Sequence, residues 1–342
     1  MEKTGIFYIG NPLLDISCEL KDNALVEKYG LAKGQASLAT EKEMPLYDEL
    51  WAMEGATKIP GGSALNSARS TNFMLKNLGH EGKVTYFGSI AKDEKGDTLA
   101  KDLSDNGITG NFYIDETAPT GTCAVLVNDQ ERTLVANLAA ACNYNIEHLR
   151  ANMDALKNAK LIYSTSFFIT SNSEALLEVG KYASDNDVPF GFNLSAVFLI
   201  QFFKDTVLAA LEHADFVFAN EDEADAFMES EKIEGGRAGV AKALAGWKKS
   251  NTKRERVAIV TQGPLPALVS IGGKDVTEYA GIALSKEQIV DTNGAGDSFV
   301  GGFMAQLLLD QDIAKCVDAG LWLASKVVQR SGCTFPEAME YK

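Results

Sequence analysis

The chain has 342 residues, the length of about two domains or of one large domain carrying an insertion. Its 32 Lys and Arg against 47 Asp and Glu give a formal net charge of −15, which repels nucleic-acid phosphates and acidic lipids. Five cysteines occur without a Cys-x-x-Cys pair, and no apolar run approaches the ~18 residues of a membrane span. We therefore expect a cytoplasmic protein that binds neither nucleic acid nor membrane, without a disulfide framework or a structural zinc site.

Short β-rich runs alternate with amphipathic helices along most of the chain. The first strand is predicted at 6–9, and a helix with one apolar stripe follows Gly61-Gly62 and ends at Gly79. Several further strand candidates are apolar on both faces, as the inner strands of a parallel sheet are. They lie at 84–87, 161–164, 190–193, 216–219 and 257–260. The pattern predicts an α/β fold with a doubly wound, mostly parallel sheet flanked by helices.

Two stretches interrupt this alternation. Residues 14–58 contain strand-like runs, and residues 119–136 are typical of a hairpin. We expect the two stretches to pair in space as a small, discontinuous β-rich lid. The large α/β domain then comprises residues 1–13, 59–118 and 137–342.

The densest chemical signal is the run Asp291-Thr292-Asn293-Gly294-Ala295-Gly296-Asp297-Ser298-Phe299, between an expected strand end at Ile289-Val290 and an amphipathic helix. The amides of Gly294, Ala295 and Gly296 would form an anion site at the helix N-terminus. Asp297 in the first turn either complements the helix dipole or takes a proton from an alcohol that attacks a bound phosphate. Glycines this close to a helix start cost stability, so we interpret the further pair Gly301-Gly302 as favouring the chemical role.

The run from Asp291 to Phe299 resembles the C-terminal signature of the ribokinase-like carbohydrate and nucleoside kinases. Further motifs, found nearly from end to end of the chain, resemble the eukaryotic-type adenosine kinases within that family. They are Gly10-Asn11-Pro12-Leu13-Leu14-Asp15-Ile16, Gly61-Gly62-Ser63-Ala64-Leu65-Asn66, Arg132-Thr133-Leu134-Val135-Ala136-Asn137-Leu138-Ala139-Ala140-Ala141, Asn193-Leu194-Ser195-Ala196 and Gly332-Cys333-Thr334-Phe335-Pro336-Glu337. The resemblance implies a lid-plus-α/β fold and transfer of the ATP γ-phosphate to the 5′-hydroxyl of adenosine, with Mg²⁺, giving AMP and ADP in purine salvage. It also implies a monomer.

The resemblance implies roles for individual residues as well. Asp297 corresponds to the general base, the amides of Gly294 to Gly296 to the anion hole, and Arg132 to a lid cation that closes onto the transferring phosphoryl group. Asp15 corresponds to the carboxylate that holds the ribose hydroxyls, and a carboxylate can accept from two adjacent hydroxyls. The remaining nucleoside contacts are Asn11, Gly61, Gly62, Ser63 and Asn66 with Gln35, Cys123, Leu134, Phe167, Phe168 and Phe198; Thr261, Gly263 and Asn293 lie on the ATP side, and Asn220 and Glu223 help to place Mg²⁺.

Simpler interpretations stay open for several of these residues. A single turn arginine is usually solvated, a single phenylalanine usually packs in the core, and Asn220 to Glu223 would also suit an acidic first helical turn. Ser37 and Lys286 depart from the resemblance, where a larger apolar residue and a glutamine are common, so base selectivity is open.

Other protein classes fit the sequence less well. Gly10-Asn11-Pro12 after the first strand is not the G-x-G-x-x-G of a nicotinamide-dependent dehydrogenase, and no Walker-A sequence occurs. Another ribokinase-like sugar or nucleoside kinase and a non-catalytic nucleoside-binding protein remain as alternatives. Asp297 disfavours the second of these, because a pure binder gains nothing from a carboxylate at a phosphate site.

Overall fold

The computed structural model describes residues 3–33, 36–128, 131–337 and 340–341, with only the backbone at residues 36, 131 and 132. Within these residues the strands fall into two sheets. The strands are β1 Gly5–Ile9, β2 Leu13–Glu19, β3 Ala36–Leu38, β4 Thr57–Gly61, β5 Val84–Ala91, β6 Thr109–Asp115, β7 Thr122–Asn128, β8 Glu131–Asn137, β9 Ala159–Thr165, β10 Phe190–Asn193, β11 Phe216–Ala219, β12 Val257–Gln262, β13 Leu265–Ile271 and β14 Val276–Tyr279. The helices are α1 Ala24–Tyr29, α2 Met44–Ala52, α3 Ser63–Asn77, α4 Glu94–Asp105, α5 Ile146–Ala151, α6 Met153–Lys157, α7 Ile169–Asp185, α8 Val197–Phe202, α9 Lys204–Leu211, α10 Glu221–Glu231, α11 Gly236–Gly246, α12 Ala295–Leu308 and α13 Ile313–Val327.

The large sheet has the strand order β14-β13-β12-β11-β10-β9-β1-β5-β6. Every pairing from β12 to β6 is parallel, and β13 and β14 extend the sheet in antiparallel fashion. Helices cover both faces, so alternate residues of β1 enter different cores: Phe7 and Ile9 on one side, Ile6 and Tyr8 on the other. The predicted α/β fold with a mostly parallel, doubly wound sheet is confirmed.

The small sheet has the strand order β3-β8-β7-β2-β4, with β7 and β8 forming the antiparallel hairpin. Its own core lies under α1 and α2, where Ile16, Leu50 and Val135 are fully buried. The Tyr47 hydroxyl donates to the Val135 carbonyl at 3.0 Å and so ties α2 to β8. All strands of this sheet come from residues 13–61 and 122–137.

Helix α12 lies between α3 and α13, and Gly301 and Gly302 permit this packing. A Cβ on Gly301 would sit 2.2 Å from the Ser70 Cβ, and one on Gly302 would sit 2.5 Å from the Ala319 carbonyl oxygen. The chemical interpretation of these two glycines is therefore wrong, because close helix contact requires them.

The segment before α12 also differs from the expectation. Ile289 and Val290 form no strand; the Val290 and Asp291 amides instead donate to the Val328 carbonyl at 2.8 and 3.1 Å, at the end of α13. Among the strands that the structure describes, none pairs with this two-residue apolar run. No helix in the described part of the chain combines the length and apolarity needed to cross a membrane.

Arg256 is a buried cation inside the α/β unit, with 1% of its surface exposed. Its guanidinium donates to five backbone carbonyls near the ends of α9 and α11, those of Leu211, Ala214, Leu244, Trp247 and Lys248. Burial lowers its pKa to about 10, so the group stays charged at neutral pH. It satisfies helix C-terminal carbonyls that would otherwise be buried without a donor.

Candidate active site

A cavity of about 330 Å³ opens at the carboxyl ends of the central parallel strands. The loops after β10 and β11, the end of β12 and the first turn of α12 surround it, which is where ligands bind in open α/β sheets. Its lining residues are Ser63, Phe167, Asn193, Ser195, Phe218, Ala219, Asn220, Glu223, Thr261, Thr292, Asn293, Gly294, Gly296, Asp297, Phe299 and Val300.

The carboxylate of Asp297 lies in this cavity and is held by two side chains at the start of α3. Ser63 Oγ donates to one carboxylate oxygen at 2.6 Å, and Asn66 Nδ2 donates to the other at 3.0 Å. Burial raises the pKa of Asp297 above its usual value, and the two hydrogen bonds partly oppose that rise. The arrangement presents an oriented, poorly solvated carboxylate, which suits proton transfer.

The loop before Asp297 is shaped by Asp291. The Asp291 carboxylate accepts from the Asn293 amide at 3.0 Å and from the Gly332 amide at 2.8 Å. Gly294, at the N-cap of α12, has φ of 75°, a left-handed conformation that glycine adopts without strain. The Ala295 amide donates back to the Thr292 carbonyl at 3.2 Å. An anion bound here would therefore compete with that bond for Ala295, while Gly294 and Gly296 face the cavity directly.

Glu223 and Asn220 form a reciprocal cap at the start of α10. The Asn220 side chain accepts from the Glu223 amide at 2.8 Å, and the Glu223 carboxylate accepts from the Asn220 amide at 2.9 Å. Burial raises the pKa of Glu223 to about 7, and the charge of Asp297 contributes to the rise. Asn220 and Glu223 therefore cap a helix, and Glu223 also lines the cavity, where its carboxylate can contact a bound group.

The small sheet brings Asp15 towards the start of α3. A Cβ on Gly61 would lie 2.3–2.4 Å from the Asp15 carboxylate atoms, so only glycine leaves the room that this carboxylate occupies. Gly62 has φ of 92°, and a Cβ there would lie 2.2 Å from the Asn11 carbonyl oxygen. Asp15, Asn11 and the two glycines therefore form one compact group.

The aromatic and polar residues expected around a purine are only partly brought together. Phe167 lines the cavity, and its ring centroid lies 6.3 Å from that of Phe198. Asn11 is already engaged, donating to the Phe167 carbonyl at 3.2 Å and accepting from Ser171 at 2.8 Å. It thus positions Phe167.

Other predicted residues lie elsewhere. Phe168 is fully buried in the large core against Tyr144, so the structure does not bring it to the cavity. Cys123 and Leu134 lie on β7 and β8 of the small sheet, with Cys123 beside Asp15 in the register. Gln35 and the Arg132 side chain lie outside the described atoms.

On the other side of the cavity, Thr261 and Asn293 line the wall, and Gly263 follows β12 with φ of 55°. Ser37 is exposed on β3, and Lys286 lies on an exposed turn before the loop of Asp291.

Asn193 and Ser195 belong to a motif noted in the sequence, but neither was assigned a place in the site. Asn193 and Ser195 line the cavity, and Ser195 has φ of 66°, rare for a residue with a side chain. The Ser195 amide is held by Asn193 Oδ1 at 2.9 Å. Their position at the end of the strand predicted at 190–193 was the signal that would have placed them at the cavity, since ligand sites lie at the carboxyl ends of parallel strands.

A family model described as pfkB family carbohydrate kinase matches residues 23–339. With the two-sheet fold and the carboxylate at the start of α12, this defines the class: the chain belongs to the pfkB family of carbohydrate kinases.

Two relatives with high identity to this chain are named adenosine kinases. The chain is 41% identical to Adenosine kinase 2 of Arabidopsis thaliana over 340 residues, covering 97% of this chain and 96% of the relative. It is also 41% identical to the adenosine kinase of Dictyostelium discoideum over 340 residues, covering 98% of each chain.

Solved structures of adenosine kinases have a fold similar to that of this chain. Anopheles gambiae adenosine kinase in complex with P1,P4-di(adenosine-5) tetraphosphate superposes with a TM-score of 0.88 at 39% identity, covering 99% of this chain and 100% of that chain. Schistosoma mansoni adenosine kinase in complex with 2-fluoroadenosine gives 0.89 at 31% identity, covering 98% and 99%.

Proposed function

We propose that this protein is an ATP-dependent adenosine kinase, which transfers the γ-phosphate of ATP to the 5′-hydroxyl of adenosine and releases AMP and ADP. The observation that carries the proposal is the oriented Asp297 carboxylate at the N-terminus of α12, in a chain similar to adenosine kinases over nearly its whole length. The tetraphosphate bound by the Anopheles relative joins two adenosines through a phosphate chain, as donor and acceptor sites on either side of a phosphate site would require.

In this mechanism Asp297 accepts the proton of the acceptor hydroxyl. In a loose phosphoryl-transfer transition state the proton moves late, so a carboxylate suffices to orient the hydroxyl and receive its proton. Burial raises the pKa of Asp297, which makes it a stronger base than a solvated aspartate. Ser63 and Asn66, which hold both carboxylate oxygens here, keep the base aimed into the cavity and in this proposal would also contact the ribose.

The transferring phosphoryl group would bind at the first-turn amides of α12. Gly294 and Gly296 line the cavity, and the positive end of the helix dipole favours an anion there. Thr261, Gly263 and Asn293 form the donor side in this proposal. Arg132, on β8, would add a cation when the small sheet closes as a lid over the large α/β domain of residues 1–13, 59–118 and 137–342.

The nucleoside would lie between the two sheets. The Asp15 carboxylate would accept from the two ribose hydroxyls, with Gly61 and Gly62 leaving room for the sugar. Phe167 and Phe198 would supply aromatic walls for the base, joined from the small sheet by Cys123, Leu134 and Gln35.

The residues at the cavity fit a magnesium ion held largely by water and phosphate. Glu223 and Asp297 face the same cavity, and burial together with their mutual repulsion raises the pKa of Glu223 to about 7, a repulsion that a cation would relieve. Among the described residues no cluster of three or more His, Cys, Asp or Glu could hold a metal by itself. Mg²⁺ characteristically keeps several waters and binds substrate phosphates, so Glu223 and Asn220 would support it through water. When bound, the ion would neutralise charge developing on the phosphates.

The setting we propose is the reducing cytoplasm, and the active form a monomer. All five cysteines are free thiols in the described structure, which suits a reducing compartment.

The decisive assay measures ADP formation with adenosine, inosine, guanosine, ribose and fructose, each with and without Mg²⁺. We expect Mg²⁺-dependent ADP only with adenosine, and AMP as the second product. Activity on ribose or fructose instead would make the protein a sugar kinase of the same family. Adenosine binding without ADP in any reaction would leave only a nucleoside-binding protein.

A further inference from the structure

Arg69 lies on α3 and is enclosed on several sides, with 11% of its side chain exposed. One nitrogen, Nη1, donates to two backbone carbonyls, that of Pro60 at 3.0 Å and that of Cys333 at 3.1 Å. The guanidinium also lies 5.6 Å from the Phe335 ring centroid, and its Nε is 3.6 Å from the Asp102 carboxylate.

The two carbonyls belong to opposite sides of the candidate active site. Pro60 is on β4 of the small sheet, directly before Gly61, which adjoins the Asp15 carboxylate. Cys333 lies in the C-terminal segment behind residues 291–296, which we call the anion loop, because a Cβ on Gly294 would sit 3.0 Å from the Cys333 Cβ. Nη1 of Arg69 thus links β4, beside the proposed nucleoside site, to Cys333, behind the proposed phosphate site.

Other contacts also join these two sides, since Ser63 and Asn66 bind Asp297 and a Cβ on Gly332 would lie 3.3 Å from the Ile59 side chain. Arg69 adds a charged donor that binds a carbonyl of β4 and the Cys333 carbonyl at once. Phe335 stacks on Phe73 at 4.9 Å, which anchors the C-terminal segment to α3 but not to β4. The positive charge of Arg69 also reaches the Cys333 thiol, whose pKa burial raises to about 11 and the arginine partly lowers. In a chain of net charge −15, this cation stands directly behind the loop that would receive phosphate.

We propose that Arg69 is a positioning residue that sets the distance between the acceptor nucleoside and the anion loop of α12. The inference rests on the proposed kinase function. In-line transfer is steeply sensitive to misplacement of the reacting groups, so loosening this connection should affect turnover more than binding.

The kinetic test compares Arg69→Met with Arg69→Lys, which keeps the positive charge and a donor at the end of the side chain. For Arg69→Met we expect kcat at least tenfold lower at saturating adenosine and ATP, with the adenosine Kd changed less than threefold. Arg69→Lys should retain at least a third of the normal kcat. Asp102→Asn, which removes the ion pair but neither carbonyl contact, should leave kcat within twofold. A normal kcat in Arg69→Met, an equal loss in Arg69→Lys, or an equal loss in Asp102→Asn would each overturn the proposal.

A second measurement does not depend on activity. N-ethylmaleimide labelling followed by peptide mass spectrometry reports access to Cys333, and fully buried Cys316 on α13 serves as the internal control. We expect Arg69→Met to label Cys333 at least fivefold faster with Cys316 unchanged, although loss of the positive charge alone would slow the thiol reaction. Unchanged labelling of Cys333, or equal acceleration at both cysteines, would refute the connection. A wild-type protein that makes no AMP would instead refute the kinase function and leave this labelling result valid.

Discussion

Replacing Asp297 by asparagine removes the proposed base while preserving the shape of its site. The new side chain could place its carbonyl oxygen towards Asn66 Nδ2 and its amide towards the Ser63 hydroxyl, which can accept, so both present contacts have a replacement. The change also ends the cost of burying a charge, so the free energy of unfolding should not fall. The loss should appear in catalysis.

For Asp297→Asn we expect kcat to decrease by about 10²–10⁴, the effect of losing a general base, equivalent to about 3–5 kcal/mol of transition-state stabilisation. AMP formation at saturating substrates measures the rate, and titration calorimetry should show adenosine affinity within about threefold of normal. The control is Asp154→Asn, since Asp154 is a highly exposed carboxylate that pairs with the exposed Lys157. Near-normal turnover in the Asp297 variant would refute the base assignment, and a parallel loss of adenosine binding would make Asp297 a binding residue.

Three further changes test other parts of the molecule. Gly61→Ala would push a methyl group into the Asp15 carboxylate, so kcat/KM for adenosine should fall roughly 10–150-fold, which corresponds to the loss of a charge-assisted hydrogen bond. Gly281→Ala is the control, because its methyl group would enter open space and should leave kcat/KM unchanged. Equal kinetics in the two variants would show that Asp15 does not bind the ribose. Because the pKa of Glu223 is raised to about 7 in the folded protein, Glu223 loses its proton at a lower pH in the unfolded chain than in the folded one. As pH rises from its ordinary pKa to about 7, Glu223 therefore progressively lowers the free energy of unfolding. Glu223→Gln removes that decrease, so in urea titrations its stability relative to the wild type should rise by up to about 3 kcal/mol between pH 5 and pH 8; a pH-independent difference would contradict the shift. Arg256→Met leaves five buried carbonyls without their donor and should cost about 3–5 kcal/mol in the same titrations, and a change below about 1 kcal/mol would show that water replaces it.

The fold could be predicted from the sequence because its evidence is local. Short strands apolar on both faces, separated by amphipathic helices, are compatible with few architectures other than a covered parallel sheet. The prediction of a strand at Ile289-Val290 was wrong because a strand also needs a neighbouring strand, which is not a local property. The amides of Val290 and Asp291 bond to the end of α13 instead.

The glycines near Asp297 also show that a local sequence pattern does not reveal which element a residue will contact. Gly301 and Gly302 gave the same signal as Gly294 in the sequence, since each weakens a helix. Only the structure shows that Gly301 and Gly302 meet α3 and α13, whereas Gly294 faces the cavity. Likewise Phe167 and Phe168 are adjacent and alike in sequence, yet one lines the cavity and the other is fully buried.

The sequence by itself determined the α/β architecture, the position of the carboxylate Asp297 on the first turn of a helix, and the set of motifs that the family shares. The tertiary structure alone decided which side chains hold that carboxylate, because Ser63 and Asn66 lie more than 230 positions away in the chain. It also decided that Arg69 joins Pro60 to Cys333, and that burial beside Asp297 raises the pKa of Glu223. Such contacts depend on distances between segments remote in sequence, and electrostatic effects depend on the exclusion of water, neither of which a local pattern of residues specifies.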